Sequence, residues 1–221
     1  MNMKKYKTII FDCDGVILNS NKIKTKSFYE VSKRFGELQA NQLVKFHIEN
    51  GGLSRYVKFE YLLQKLDLSN NEYKKELDIL LSDYSDMVVE KLIECEVEKS
   101  LKDLRHFWND TNWLVVSGGD ECELRKVFKT KNIDCFFNAG IFGSPSSKEI
   151  IIENQLEKGS IELPVLFIGD SKYDYIVSKK YSFDFVFITQ WTEFFDWTVY
   201  FNDKDVIVLN SLSEILNTEV K

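Results

Sequence analysis

Two aspartates that follow a short apolar segment are the residues of this chain best suited to chemistry. Asp12 and Asp14 come directly after the β-branched and aromatic run of residues 8–11, and Gly15 follows them. Such a run is typical of a fully buried strand, which Gly15 would end. Two carboxylates at the end of a buried strand repel each other and are costly to desolvate, and a divalent cation would compensate both effects. A solvated turn is the alternative interpretation, because Asp and Gly are common turn residues.

Polar residues also mark other apolar segments. Ser117 and Asp170 each follow an apolar run, Asp174 lies four residues further on, and Lys148 stands at the start of a predicted helix. In a parallel sheet, ligands bind outside the carboxyl ends of the strands. We therefore expect these residues to form one site with the two aspartates.

The elements that must position this site alternate between strands and helices. Apolar runs predict strands at residues 8–11, 113–116, 135–137, 165–168, 185–188 and 206–208. Residues 141–145 are predicted as a loop, and helical patterns separate the later strands. Strands that alternate with helices indicate an α/β fold, a doubly wound parallel sheet covered on both faces.

A long helical block interrupts this alternation after the first strand. Apolar spacings of three and four predict four helices, at about residues 21–35, 43–47, 56–66 and 71–95. We therefore expect a catalytic core formed by residues 1–18 and 97–221, and a helical domain formed by residues 19–96.

Composition excludes several classes of protein. The formal net charge of -6 over 221 residues argues against a nucleic-acid surface. Four scattered cysteines without a C-x-x-C spacing, together with two histidines, exclude the usual zinc patterns. Free thiols fit a reducing cytoplasm. The basic start lacks an apolar signal region, and no run approaches the roughly 20 apolar residues of a membrane span. We expect a cytoplasmic protein that binds neither nucleic acid nor membrane.

As a set, these motifs resemble those of the haloacid dehalogenase superfamily of phosphatases. The resemblance rests on Asp-x-Asp-Gly-Val at residues 12–16, Ser117 after an apolar strand, Lys148, and Gly-Asp-Ser-x-x-Asp at residues 169–174. It implies a Rossmann-like core. The helical block resembles the C1-type cap of relatives of phosphoglycolate phosphatase and β-phosphoglucomutase.

The resemblance implies a role for each motif residue. Asp12 would be the nucleophile that forms an aspartyl-phosphate. Asp14 would protonate the leaving oxygen and then deprotonate the attacking water, for which its pKa would have to be raised. Ser117 and the backbone N–H group of Gly118 would bind a phosphoryl oxygen, and Lys148 would neutralise its charge.

Mg²⁺ is the cofactor that the resemblance implies. The Asp12 carboxylate, the backbone carbonyl of Asp14 and the Asp170 carboxylate would bind it, and water and phosphate would complete the octahedron. Asp174 would orient Asp170 or a bound water, with direct ligation as the alternative.

The predicted cap contains further candidates for substrate binding. Residues 51–58 join two helices and resemble the substrate-specificity loop of the β-phosphoglucomutase branch. Arg55 would form a bidentate contact with a phosphate or carboxylate, and Lys58 is a second candidate. The alternative for both is a solvated cation at a helix start. His47 and His106 are predicted to be structural.

The predicted function is Mg²⁺-dependent hydrolysis of a small phosphomonoester, a sugar phosphate or similar metabolite, by a monomer or homodimer. A phosphosugar mutase shares every core motif and is the alternative among enzymes. An inactive binding protein with this fold is the alternative of a different class. Asp14 argues against a dehalogenase, whose chemistry needs no acid there. A phosphonate hydrolase would need a cap lysine, for which Lys45 and Lys58 are available.

Overall fold

A sheet of six parallel strands forms the centre of the molecule. The computed structural model describes residues 3–217 of the chain. The strands are β1 (Thr8–Phe11), β2 (Asn112–Asp120), β3 (Gly140–Ser144), β4 (Val165–Gly169), β5 (Asp184–Ile188) and β6 (Ile207–Leu209). They lie in the order β3-β2-β1-β4-β5-β6, and every neighbouring pair is parallel. The predicted α/β fold with a doubly wound parallel sheet is confirmed.

The first strand occupies the middle of this sheet. All four residues of β1 are buried, as expected for an apolar strand that is covered on both faces. Phe11 lies beside Val115 of β2 and Ile168 of β4. The carboxyl ends of these three strands therefore lie side by side at one edge of the sheet.

Nine helices accompany the sheet within residues 3–217. They are α1 (Asn21–Ser32), α2 (Glu37–Glu49), α3 (Arg55–Leu63), α4 (Asn70–Glu94), α5 (Leu101–Phe107), α6 (Glu121–Thr130), α7 (Lys148–Glu157), α8 (Lys172–Lys180) and α9 (Trp197–Tyr200). Helices α1–α4, which we call the cap, lie between β1 and β2 in the chain, so the predicted four-helix insertion is confirmed. Among the residues that the structure describes, none of the helices has both the length and the apolar character needed to cross a membrane.

The two connections between the cap and the sheet are hydrogen-bonded to each other. The backbone N–H group of Asn19 donates to the carbonyl of Glu96, and that of Glu98 donates to the carbonyl of Ile17, both at 2.9 Å. The chain therefore leaves the core for the cap and returns to the core at the same place. The exact division into residues 19–96 and the remainder stays a prediction.

Periodic apolar residues hold the cap together. On α4 the buried side chains recur every four residues, at Leu80, Tyr84, Val88 and Leu92. A capping box fixes the start of this helix, because the Ser69 hydroxyl accepts from the backbone of residue 72 while the side chain of that glutamate accepts from the backbone of Ser69.

One edge strand was predicted at the wrong place. Residues 140–144 form β3 instead of a loop, and the predicted strand at residues 135–137 is mostly a single 3₁₀ turn (Asp134–Phe136). Phe137 packs its ring against Phe11 and Trp113, at centroid distances of 5.7 and 6.0 Å, so this apolar run serves the core without joining the sheet. Pairing with β2 decides where the strand forms, and it overrides the weak local propensity of a glycine-containing segment.

Candidate active site

Three buried carboxylates meet where β1 and β4 end. Asp12 follows β1, Asp170 follows β4, and Asp174 lies on the first turn of α8. One oxygen of each carboxyl group lies within 4.8 Å of the others. All three residues are buried. Because β1 and β4 are neighbours in the sheet, the fold brings Asp12 and Asp170 together although they are 158 positions apart in the chain.

Lys148 joins two of these carboxylates. Its Nζ donates to Asp12 Oδ1 at 2.8 Å and to Asp174 Oδ1 at 2.6 Å. Lys148 is the first residue of α7, whose N-cap Ser147 accepts from the backbone N–H group of Ile150, so the helix start fixes the position of the lysine backbone. Burial would lower the pKa of Lys148, but the two carboxylates raise it above its ordinary value. The amine is therefore protonated.

Both oxygens of Asp174 have donors. Oδ1 accepts from Lys148, and Oδ2 accepts from the backbone N–H group and the hydroxyl of Ser171, at 3.1 and 2.6 Å. Ser171 is the N-cap of α8, so Asp174 connects the start of this helix to the lysine. The geometry favours an orienting role for Asp174, and the group that it contacts is Lys148 rather than Asp170.

Asp14 lies beside this cluster with partners of its own. The Ser20 hydroxyl donates to Asp14 Oδ1 at 2.6 Å, and the Lys24 ammonium forms an ion pair with Oδ2. Burial would raise the pKa of Asp14, but the Lys24 charge and both hydrogen bonds outweigh it, so the pKa lies below its ordinary value. The expectation of a raised pKa is therefore wrong for this arrangement. The cause is the Lys24 ammonium, which no motif in the sequence connects with Asp14.

Lys24 is a site residue that sequence reasoning missed. It is buried on α1, one helical turn before Phe28, and both residues line a cavity between the cap and the sheet. Residues four apart share a helix face, so a lysine on the apolar face of the first cap helix was the available signal. A second omission is Asn21, whose side-chain amide donates to Asp170 Oδ2 at 2.7 Å.

The turn after Asp14 is shaped by Gly15. This glycine has a φ of 77°, and a Cβ at its position would lie 2.0 Å from Asp170 Oδ2. Any side chain would therefore clash with the cluster and strain the backbone. Glycine at this position lets the chain turn directly beside the Asp170 carboxylate.

The charges in this region do not balance without a cation. It contains four carboxylates and two lysines that ion-pair with three of them: Asp12, Asp14, Asp170, Asp174, Lys24 and Lys148. When these six groups are all ionised, two negative charges remain among them, and Lys58, which lines the same cavity, forms no ion pair with any of the four carboxylates. Burial raises the pKa of Asp12 to about 7 even beside Lys148, and burial followed by repulsion from Asp12 raises the pKa of Asp170 well above its ordinary value. Oxygen ligands and an excess of two negative charges fit Mg²⁺.

Ser117 and the glycines after it lie on β2, which continues to Asp120 and does not end at Val116. Ser117 is fully buried, and its Oγ accepts from the backbone N–H group of Gly119 at 3.0 Å. A Cβ at Gly118 would lie 2.2 Å from the carbonyl oxygen of Gly52. Glycine at position 118 therefore allows the loop between α2 and α3 to approach the end of β2.

The two predicted cap cations are buried, so their interpretation as solvated side chains is wrong. Arg55 donates two hydrogen bonds to the carboxylate of Glu123 on α6, at 2.7 and 2.5 Å. The Nζ of Lys58 lies 2.8 Å from His47 Nδ1. The predicted bidentate contact of Arg55 is thus made to a carboxylate of the protein itself.

A cavity between the cap and the sheet connects these groups. It is a cleft that opens to solvent on one side. The core contributes Asp12, Asp14, Gly118, Gly119, Asp170 and Thr192, and the cap contributes Lys24, Phe28, His47, Arg55, Lys58 and Tyr84. Ser117 and Lys148 are buried and do not line it, and His106 lies elsewhere.

Comparisons with known proteins agree with this geometry. A family model described as haloacid dehalogenase-like hydrolase matches residues 9–188. The fold is similar to a predicted phosphatase from Clostridium acetobutylicum (21% identity, TM-score 0.72, covering 96% of this chain and 97% of that one). It is also similar to a predicted phosphoglycolate phosphatase from Haemophilus somnus (18%, TM-score 0.73, 98% and 99%) and to a haloacid dehalogenase-like hydrolase from Streptococcus pneumoniae (20%, TM-score 0.70, 97% and 99%). No curated protein matches the chain.

Proposed function

The chain belongs to the haloacid dehalogenase-like hydrolase family, and from this premise we propose that it is a Mg²⁺-dependent phosphatase of small phosphomonoesters. The observation that carries the proposal is the contact between Lys148 and Asp12 within a group of buried carboxylates. A carboxylate next to a protonated lysine, at the edge of a cavity, is suited to attack a phosphoryl group whose charge the lysine offsets.

In the first step, an oxygen of Asp12 attacks phosphorus and the bond to the leaving oxygen breaks, which yields an aspartyl-phosphate and an alcohol. Lys148 stays within 2.8 Å of Asp12 and offsets charge on the nucleophile and the phosphoryl group. Asp174 holds the lysine in place. On β2, the backbone N–H group of Gly118, which lines the cavity, and the hydroxyl of the adjacent buried Ser117 would bind phosphoryl oxygens.

Asp14 transfers the protons. It gives a proton to the leaving oxygen in the first step and takes one from the attacking water in the second, which releases phosphate and restores Asp12. The ion pair with Lys24 favours the ionised form of Asp14, which suits the second step. Protonation of the leaving group requires that this ion pair weaken.

Mg²⁺ would be held by the carboxylates of Asp12 and Asp170 and by the backbone carbonyl of Asp14. Bound there, it would polarise the phosphoryl group and neutralise negative charge on it. Asn21 supports the site because its side-chain amide donates a hydrogen bond to Asp170. Gly15 supports it because the absence of a side chain leaves room for the Asp170 carboxylate.

The substrate is a small metabolite, with a sugar phosphate as the preferred class. The cavity lies between core and cap, and its lining combines charged side chains with the rings of Phe28 and Tyr84, which suits a small polar metabolite. Lys58 and Arg55 face it from the cap, so the part of the substrate beyond the phosphoryl group would meet these side chains. The oligomeric state and cytoplasmic location stay predictions.

The test is hydrolysis of p-nitrophenyl phosphate with Mg²⁺ and with EDTA. We expect Mg²⁺-dependent turnover that falls by about 1,000-fold or more in Asp12→Asn, because the nucleophile is lost. Asp203→Asn, which alters an exposed aspartate outside the site, is the matched control and should keep full activity. Equal rates for the native chain and Asp12→Asn would overturn the proposal. Phosphosugar turnover that requires a bisphosphate activator would instead indicate the mutase.

A further inference from the structure

Within the part of the chain that the structure describes, one buried lysine of the cap, Lys58, has no counter-ion. The structure buries Lys24, Lys58 and Lys148. The first and the last form ion pairs with carboxylates of the site. Over residues 3–217, Lys58 forms no ion pair, since no carboxylate oxygen lies within 4.0 Å of its Nζ. A buried ammonium without a partner is costly, so this arrangement calls for an explanation.

The neighbours of Lys58 hold it in place without neutralising it. His47 Nδ1 lies 2.8 Å from Lys58 Nζ. Burial, followed by the positive charge of Lys58, lowers the pKa of His47 well below its ordinary value, so the ring is neutral and accepts the hydrogen bond. The ring of Phe28 packs against His47 at 4.6 Å between centroids and lies 5.5 Å from the Lys58 ammonium.

Arg55 differs from Lys58 in this respect. Its guanidinium is bound at both ends by Glu123 and lies over the ring of Tyr84, so its charge is already compensated by the protein. Of the two cap cations that were predicted to bind substrate, Lys58 is therefore the one that still lacks an anion.

The position of Lys58 indicates which molecule would supply the missing anion. Lys58 and His47 line the same cavity as Asp12 and Asp14, but they enter it from the cap. Burial and the nearby charge of Lys24 lower the pKa of Lys58 to about 7, and the charges of Asp14 and Asp12, neither of which forms an ion pair with it, offset this only in part. An anionic group in the cavity would stabilise the charged amine.

We propose that Lys58, positioned by His47, binds a second anionic group of the substrate, a carboxylate or a second phosphate, at the end that does not react. This inference rests on the proposed function, since it concerns the other end of the same substrate. It makes Lys58 a specificity residue that favours phosphomonoesters with a charged tail over those with a neutral one.

The test measures binding without turnover, by calorimetry on the full-length Asp12→Asn protein with Mg²⁺. The ligands are alkyl phosphates of graded chain length that end in a hydroxyl, a carboxylate or a second phosphate. At the best chain length we expect a charged tail to bind about 10-fold or more tightly than the hydroxyl, the usual effect of a hydrogen bond to a charged group. The two anionic series distinguish a carboxylate from a phosphate.

Variants identify the residue responsible for this preference. Adding Lys58→Met should reduce the preference to about one, whereas Lys45→Met, at an exposed lysine of the cap, should leave it unchanged. His47→Phe should also reduce the preference, and His47→Gln, which keeps an acceptor oxygen, should restore it. A merely structural histidine would not give this pattern.

Two results would overturn the inference. The first is equal affinity for charged and neutral tails at every chain length in the Asp12→Asn protein, a result that does not depend on how any Lys58 or His47 variant folds. The second is a preference that persists in a folded Lys58→Met or Lys58→Gln protein. Failure of the phosphatase proposal would appear separately, as a native chain that does not hydrolyse p-nitrophenyl phosphate.

Discussion

Lys24, on the first helix of the cap, forms an ion pair with Asp14, which follows the central strand of the core. Only 8% and 16% of the two side chains are exposed, so the pair is poorly screened by water. Ser20, at the connection between the two parts, donates to the same carboxylate. The protonation of the proposed acid and base is thereby coupled to the position of the cap.

Replacing Lys24 should change how activity depends on pH. In Lys24→Met the pKa of Asp14 should rise, because the charge that outweighs burial is gone. The acid form would then persist to higher pH, and the high-pH limb of kcat/KM for an alkyl phosphate should move upward by about one pH unit. The measurement is a pH profile of the native chain and the variant.

A substrate and a variant control this prediction. An aryl phosphate releases a phenolate that does not need the proton, so its high-pH limb should stay in place in Lys24→Met. Lys22→Met, at an exposed lysine of the same helix, should shift neither profile. Equal movement with both substrates would show that the titrating group is not Asp14.

Mg²⁺ should stabilise the protein through Asp170. A ligand that binds only the folded state raises the free energy of unfolding by about 2.7 kcal/mol at roughly 100 times its dissociation constant. We expect a corresponding rise in Tm when Mg²⁺ is added to the native chain, and almost none in Asp170→Asn, which loses a charged ligand of the proposed site. An equal rise in both proteins would place the ion elsewhere.

Much of the fold could be predicted because its strands are locally encoded. The run of residues 8–11 is buried on both faces, and apolar character alone identifies such a strand. β3 was missed because Gly140 and Gly143 leave little local signal, and the strand forms only by pairing with β2. Residues 135–137 have the stronger local signal but fill the core as a turn.

In the site, residues that belong to a sequence motif could be predicted. Contacts between residues on different elements, such as ion pairs, could not. The polar residues at the ends of β1 and β4 do come together, since parallel topology requires it. The pairing of Arg55 with Glu123 spans 68 positions, and no local pattern connects them. The position of Lys24 on the apolar face of α1 was a local signal, but its pairing with Asp14 was not predictable because that partner belongs to another element.

Asp174 should position Lys148 and not hold the metal. In Asp174→Asn we expect the Mg²⁺ dissociation constant to change by less than about 3-fold, because both oxygens of the native residue already accept hydrogen bonds from the protein. Activity should fall by about 10-fold or more as Lys148 loses a partner. Calorimetry with Mg²⁺ and a steady-state assay measure the two effects. Loss of Mg²⁺ binding comparable to Asp170→Asn would make Asp174 a ligand.

The ion pair between Arg55 and Glu123 should contribute stability that depends on pH, because it joins the cap to α6. Burial would raise the pKa of Glu123, but the hydrogen bonds and charge of Arg55 lower it below 4.5. A depressed folded-state pKa stabilises the protein above the unfolded value, and this stability is lost as pH falls through the folded value. Urea unfolding should therefore show that Glu123→Gln costs about 3 kcal/mol at pH 7 and less below about pH 4. Glu153→Gln, in an exposed pair, should leave the free energy of unfolding almost unchanged. A Glu123→Gln cost that does not depend on pH would contradict the prediction.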